Sequence, residues 1–405
     1  MTRLQRDSVA SNAPSHDERY RQCCERALAL VPVLEQRAAE AEALRQLPAA
    51  TLRDFHDAGL FRILQPLSVG GSELDYSALI DIPAILARGC ASSAWTLTNL
   101  ASHHWMLAMF PETAQDRVWS DHPDALIASS FIFPAGKARR VPGGYRLSGR
   151  WAFSSGIDPS AWNMLAGQVE ESGDPPDHRV FLLNRTDYEI IDVWHASGLK
   201  GTGSNDVACS DVFVPEELSV SAEELKGGST PGGARHPNAL YRLPVFALFP
   251  LILSGVGLGI AEAAVAAYTS GIRERASRYS GAKLAELQAT QIRIGNAASH
   301  VGVARETMLS ICREAMQDAR AGHIPDFATK MRYRRDAAFA ANLCVEAVDM
   351  VCAGSGASAL YSSNPLSRYF RDAHAVGAHI AFSMDAAASA YGRAALGLDT
   401  SHPTI

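Results

Sequence analysis

The side chains of this chain whose types and spacing could do chemistry are imidazoles and hydroxyls. Near the C-terminus, the run from Pro365 to His379 carries Arg371-Asp372 followed by His374 and His379, and no Asp or Glu stands between Asp372 and Asp385. A histidine titrates near neutral pH, so His379 can donate to an oxygen atom or protonate it. Abstracting a carbon-bound proton would call for a carboxylate, which this segment lacks. His374 reads equally as a member of such a site or as a histidine satisfied at a helix end. Hydroxyl pairs stand at Ser129-Ser130 and Ser154-Ser155, and Gly156 after the second pair also suits a plain strand-ending turn. His103-His104-Trp105 places two adjacent imidazoles on a helical stretch, where the packing reading is one exposed and one buried residue. Arg242, in Tyr241-Arg242-Leu243-Pro244, could pair with a carboxylate or a phosphate, or simply begin a helix at the surface.

These residues fall on three kinds of element. From Tyr20 to about Trp119 the apolar spacing is helical, beginning with Ala27, Leu28, Val31, Leu34, Ala38 and Ala41; Pro48 opens a second helix that Gly59 closes. After Pro123 the period drops to two, giving strands over Ala125 to Phe133, Lys137 to Val141, Tyr145 to Ser154, Asn163 to Val169, Arg179 to Leu183, Glu189 to Val193 and Val207 to Val214, with Gly143-Gly144 as a hairpin turn. Short strands with no helices between them predict a small antiparallel barrel or sandwich that ends at Pro215. Lys226 to Pro237 is Gly-rich and reads as a linker, after which Ala-rich helical periodicity resumes in four long segments broken near Ser280-Gly281, Gly322 to Pro325 and Gly354 to Pro365. The fold class is therefore α+β, with an N-terminal helical domain (1–123), a central small antiparallel β-barrel or sandwich (124–225), and a linker plus C-terminal four-helix bundle (226–405).

The 405 residues include 47% hydrophobic and 20% charged side chains, enough apolar material for a large core. A formal net charge of −6 without a Lys/Arg block argues against a nucleic-acid partner. Met1 to Asp17 has no apolar run of the signal-peptide kind and reads as a frayed tail. The run Leu243 to Val256 is shorter than the ~20 residues a bilayer span needs and is broken by Gly and Pro, so the expectation is a cytoplasmic protein with no membrane partner. Seven scattered cysteines (Cys23, Cys24, Cys90, Cys209, Cys312, Cys344, Cys352) form no C-x-x-C pair and read as thiols in a reducing compartment; no metal site is expected.

The order helix, strand, helix, together with Leu47-Pro48 through Ala58-Gly59-Leu60-Phe61, Pro66, Gly70-Gly71, Ser210 to Pro215 and Lys283 to Arg305, resembles the acyl-CoA dehydrogenase superfamily over about Leu28 to Tyr391. Aligned on Arg371-Asp372, the family's catalytic glutamate falls at Ile380, between His379 and Ala381. Gly149 to Gly156, Gly198 to Ser204, His103-His104-Trp105, Ser129-Ser130 and Arg371-Asp372 with His374 and His379 are more similar to the oxygenase components of two-component flavin-dependent monooxygenases, which hydroxylate phenols such as 4-hydroxyphenylacetate and steroid-derived phenols. That resemblance implies diffusible reduced FMN or FAD from a separate NAD(P)H-flavin reductase, O2 as oxidant, an aromatic substrate, and a homotetramer. It implies a C4a-hydroperoxide held by His379 and by a hydroxyl at flavin N5, Ser154 in preference to Ser155. It places Trp151, Phe153, Ser154, Ser155 and Thr202 at the flavin, His103 (in preference to His104) and Ser129 on the substrate hydroxyl, and Arg242 and His374 near the substrate. The flavin phosphate would fall to Arg275 or Arg278, in a loop where Ser280 replaces the family's Phe. Rival readings are an N-oxygenase of the same fold, an acyl-CoA dehydrogenase with its base on another helix, and a non-catalytic flavin carrier.

Overall fold

Five helices come first in the computed structural model, which describes residues 14–120, 122–170, 177–277, 280–398 and 402–405. They are α1 (His16–Leu44), α2 (Ala49–Asp57), α3 (Ala78–Ala87), α4 (Ala91–Leu107) and α5 (Glu112–Trp119). Most of the tail expected over 1–17 lies outside the described residues, and α1 starts at His16 with Ser15 as its cap. On α1 the stripe Ala27, Leu34, Ala38 and Ala41 is buried, while Leu28, expected on that face, is exposed. Helix α4 is buried along nearly its whole length although it carries Ser92, Thr98, Ser102, His103 and His104. Burial of so many polar groups is tolerable only when each finds a partner. Most of the partners belong to other parts of the chain: Ser92 Oγ accepts from Gly201 N–H (3.1 Å), Thr98 donates to Ile252 O (2.7 Å), His103 Nδ1 lies 2.6 Å from Ile127 O, and Trp105 donates to Leu240 O (2.7 Å), while Ser102 donates to Asn99 O on the same helix (2.7 Å).

The middle of the chain forms one open eight-stranded sheet: β1 (Ile127–Ser130), β2 (Gly136–Val141), β3 (Gly144–Ser154), β4 (Trp162–Val169), β5 (Asp177–Asn184), β6 (Glu189–Ile191), β7 (Asn205–Pro215) and β8 (Ser219–Ser221). Its order is β6-β7-β3-β2-β4-β5-β8, with β1 on β4. The sheet is mixed where an antiparallel one was expected, because β4 runs parallel to both β1 and β2. The period-two pattern fixes which face a residue occupies and says nothing of strand direction. Nor does the sheet end at Pro215: β8 pairs with β5.

Five helices follow, α6 (Val245–Ile272), α7 (Gln288–Ala321), α8 (Phe327–Ser355), α9 (Pro365–Gly377) and α10 (Met384–Ala395). The expected linker is docked rather than free, since Gly232 N–H donates to Met109 O (3.1 Å) and His236 bonds to Gln115 (2.7 Å). Helix α6 is long and apolar enough to cross a membrane by length and composition, unlike the short run read from the sequence, but 89% of its most apolar window is buried inside the protein. Its glycines do not interrupt it. A Cβ on Gly255 or Gly259 would stand 2.6 Å from Ile80 O or 2.1 Å from Ala84 O, so these residues let α3 lie directly on α6. The fourth expected segment divides in two, because α9 stops at Gly377 and His379 opens a short 3-10 turn ahead of α10.

Candidate active site

Where α4, the ends of β1 and β3, the 194–204 loop and the α9–α10 break converge, they enclose a cavity of about 640 Å3. That size is within the ~300–1,000 Å3 usual for small-molecule and cofactor sites. Trp95, Phe131, Phe153, Trp194 and Phe249 supply aromatic wall, and Asn99, Ser129, Ser155, Thr202, Ser204 and His379 supply the polar groups. No Asp, Glu, Lys or Arg lines it among the described residues, so the relocated carboxylate base of a dehydrogenase is not found there.

His379 owes its place to the helix break. Its Nδ1 accepts from Ala381 N–H at 3.1 Å, and an imidazole nitrogen that accepts cannot carry the proton. The ring proton therefore sits on Nε2. The ring packs against Trp95 (5.8 Å between centroids), Phe249 (6.0 Å) and Phe382 (6.0 Å), and this burial lowers its pKa to about 4. At neutral pH His379 is an uncharged N–H donor. His103 has the opposite tautomer. Its Nδ1 faces the Ile127 carbonyl, which can only accept, so the lone pair is on Nε2, and burial again lowers the pKa to about 4. His103 does not itself line the cavity; it stands edge-on to Phe131, which does, at 5.9 Å. His104 points elsewhere, accepting from the Trp119 indole at 3.0 Å, so both imidazoles of the pair are buried.

The strand-end serines divide differently from expectation. Ser154 is fully buried, 3.5 Å from Asn163 Oδ1, and does not line the cavity; Ser155 does. Strict alternation along β3 would put Ser154 on the same face as Ala152. Phe153 adopts φ +64° and the β3–β7 register shifts between Trp151 and Ser154, and the extra residue reverses the parity. Phe153 is thereby turned out to the cavity and Ser155 into it, while Trp151 stays in the core with its indole on Ala166 O (2.7 Å). Gly156 N–H donates to Thr202 O (2.9 Å), drawing the strand end onto the 200–204 turn. The result is a buried chain in which Trp95 Nε1–H donates to Ser155 Oγ (3.1 Å), Ser155 and Ser204 are 2.7 Å apart, and Ser204 and Thr202 2.6 Å. Three hydroxyl protons serve two bonds within this chain. One O–H, on Ser155, Ser204 or Thr202, is left to donate to whatever fills the cavity.

The loop that carries Trp194 and Thr202 is held from behind. Leu199 N–H donates to Asp372 Oδ1 (2.7 Å), Arg371 donates to Ser197 O (2.9 Å) while pairing with Glu42 (2.9 Å), and Trp194 Nε1–H donates to Leu199 O (3.1 Å). A Cβ on Gly198 would sit 2.1 Å from Arg371 O, so only glycine allows this approach to α9. Burial raises the Asp372 carboxyl to about 6, opposed by the Leu199 N–H. Arg371-Asp372 thus positions the wall formed by the 194–204 loop. Sequence reasoning missed Trp95, Trp194, Ser204 and Phe249, whose wall positions have no local signal.

Three further expected residues lie elsewhere, and a fourth is outside the described residues. His374 is half-exposed, bonded to Asp349 (2.9 Å) and tilted against Phe370 at 4.4 Å between ring centroids, because the ring lies on the outer face of α9. Arg242 lines a separate cleft with the 228–234 loop and Gly322–Ile324, since its 3-10 turn faces the end of α7. Arg275 donates to Ser355 O (3.0 Å) and is not at the cavity, and Arg278 lies outside the described residues.

The cavity suits a flat heteroaromatic cofactor on two observations: five aromatic rings stand in its wall, and the hydroxyl chain carries one unused donor. Comparison with known proteins agrees. Residues 20–121 match the family described as acyl-CoA dehydrogenase, N-terminal domain, and residues 251–384 match acyl-CoA dehydrogenase, C-terminal domain. The chain is 35% identical to the flavin-dependent monooxygenase oxygenase subunit HsaA of Rhodococcus jostii (strain RHA1), over 91% of this chain and 97% of that one. It is 34% identical to the oxygenase component of an FADH2-dependent resorcinol hydroxylase of Rhizobium sp. (strain MTP-10005), over 89% and 91%. The crystal structure of a 3-HSA hydroxylase from Rhodococcus sp. RHA1 superposes with a TM-score of 0.90 at 34% identity, covering 96% of this chain and all of that one.

Proposed function

Because the chain belongs to the acyl-CoA dehydrogenase superfamily, and within it to the oxygenase components of two-component flavin-dependent monooxygenases, we propose that this cavity binds reduced flavin beside a phenol and hydroxylates its ring. Bound reduced flavin, supplied by a separate reductase, provides the two electrons with which O2 yields one inserted oxygen and one water. Everything else falls to the side chains. Ser155, fed by Trp95 and Ser204, turns its spare O–H to a ring nitrogen of the flavin, and Thr202 closes the other end of that hydroxyl chain. Phe153 and Trp194, edge to face at 6.4 Å, flank the ring at the mouth. His379 donates Nε2–H to the reacting oxygen and, being neutral, adds no charge to a dry pocket. Ser129 holds the substrate hydroxyl, and His103, screened from the cavity by the Phe131 ring, accepts its proton at Nε2 when that ring moves aside as the phenol binds. The observation that carries this reading is the His379 tautomer, fixed by Ala381 N–H, in the same cavity as the unused hydroxyl proton.

The N-terminal (1–123), central (124–225) and C-terminal (226–405) parts act here as three domains that each contribute a wall. Exposed Ile292, Val303 and Phe339 on α7 and α8 support a homotetramer with these faces covered, working in the cytoplasm beside its reductase. The test is turnover of a phenol with chemically reduced FMN or FAD under isotope-labelled O2. The reading expects one labelled oxygen in the hydroxylated product, and H2O2 as the sole reduced-oxygen species would refute it.

A further inference from the structure

We propose that the cavity selects substrates without charge, accepting neutral phenols and rejecting phenols that carry a carboxylate; this rests on the monooxygenase reading above. The walls that a substrate would meet are Trp95, Phe131 and Phe249, with Asn99 and Ser129 as neutral polar groups and His379 as the one titratable side chain. Burial holds that imidazole uncharged at neutral pH. A carboxylate entering such a site sheds its hydration and meets no cation among the described residues, a penalty larger than a neutral hydroxyl suffers.

Two guanidiniums beside the cavity do not repair this. Arg371 and Arg45 touch its lining only through backbone carbonyls, Ser197 O at 2.9 Å and Trp194 O at 3.3 Å. Each is already neutralised, Arg371 by Glu42 at 2.9 Å and Arg45 by Asp192 at 2.5 Å. Arg242, the residue whose type best suits a carboxylate, faces a different cleft. The buried acid closest to the lining is Asp372, whose Oδ1 is 2.7 Å from the cavity-wall Leu199 nitrogen, and its negative charge above pH about 6 further opposes an anionic ligand. Charge rejection is therefore a property of the whole wall.

The experiment compares para-ethylphenol with para-hydroxyphenylacetate, matched in ring and length and differing in the carboxylate. Calorimetry on the flavin-free protein gives the two dissociation constants, and hydroxylation with excess reduced flavin gives the two kcat/KM values. The neutral phenol is expected to bind at least about tenfold tighter and to be favoured to a similar degree in kcat/KM. Ile132→Arg, at a partly exposed wall position, should shrink that gap by strengthening the carboxylate alone. Equal or tighter binding of para-hydroxyphenylacetate by the unmodified protein overturns the selectivity and leaves the monooxygenase reading standing. Failure to form product from para-ethylphenol, resorcinol and a naphthol alike overturns both.

Discussion

Two adjacent serines should behave very differently when replaced by alanine. Ser155→Ala removes the acceptor of the Trp95 indole proton (3.1 Å) and one partner of Ser204 (2.7 Å). The indole nitrogen remains buried without a partner, at a cost of ~1–3 kcal/mol, while Ser204 keeps Thr202. Ser154→Ala removes only a contact of 3.5 Å to Asn163, at the far limit of a hydrogen bond, and should cost less than about 0.5 kcal/mol. The functional difference is larger still. If the Ser155 O–H is the donor to the flavin, losing it forfeits ~1.5–3 kcal/mol, or about 10- to 150-fold in how long the bound flavin commits oxygen to hydroxylation rather than H2O2. The assay is the ratio of hydroxylated phenol to H2O2 per reduced flavin consumed, with thermal unfolding alongside. Ser155→Ala is expected to release mostly H2O2 and to melt a few degrees lower, with Ser154→Ala close to the unmodified protein in both. Uncoupling by Ser154→Ala equal to that of Ser155→Ala would refute the parity argument.

Other perturbations test other walls. His379→Ala should bind flavin within about threefold of the unmodified protein, since only ring contact is lost, yet release H2O2 in place of most product; tighter coupling would contradict its donor role. Gly198→Ala forces the 194–204 loop off α9, because the new Cβ meets Arg371 O at 2.1 Å; ~1–3 kcal/mol of stability and about tenfold in flavin affinity should go together, read by urea unfolding and fluorescence titration. Stability should also fall in acid. His103, His104 and His379 have folded pKa values lowered from 6.5 to about 4, 3 and 4, so the unfolded chain binds more protons than the folded one between these limits, and stability present above pH 6.5 is lost as pH falls. Asp372, raised to about 6, acts in the opposite sense over about pH 6 to 3.8, but three imidazoles outweigh one carboxyl. The urea midpoint should therefore be flat above pH 7 and drop toward pH 4, less steeply in His379→Gln.

The sequence shows the three-part architecture clearly, because helical and strand periods change at Pro123 and again after the Gly-rich run at 227–233. His379, Ser129, Thr202, Phe153 and Ser155 are legible as site residues by resemblance, and the structure places all five at one cavity. What stays hidden depends on geometry without a local signature. The positive φ of Phe153 reverses strand parity, and nothing in Trp-Ala-Phe-Ser-Ser announces it. Strand direction is equally silent, which is why β1 and β2 parallel to β4 could not be read. His374 lies on the outer face of α9, away from the cavity, a matter of which side the helix packs. Arg371-Asp372, legible only as a motif, turns out to grip the backbone of Ser197 and Leu199.

The central claim is that Ser155 and His379 face the same bound flavin, with the substrate phenol between His379 and Ser129. A crystal structure of the protein soaked with flavin and para-ethylphenol measures this directly. The account predicts a flavin ring nitrogen within about 2.7–3.2 Å of Ser155 Oγ or Thr202 Oγ1, and His379 Nε2 turned toward the reacting edge of the ring. A flavin nitrogen on Ser154, or a ring seated outside the cavity that Trp95 and Trp194 enclose, would contradict it.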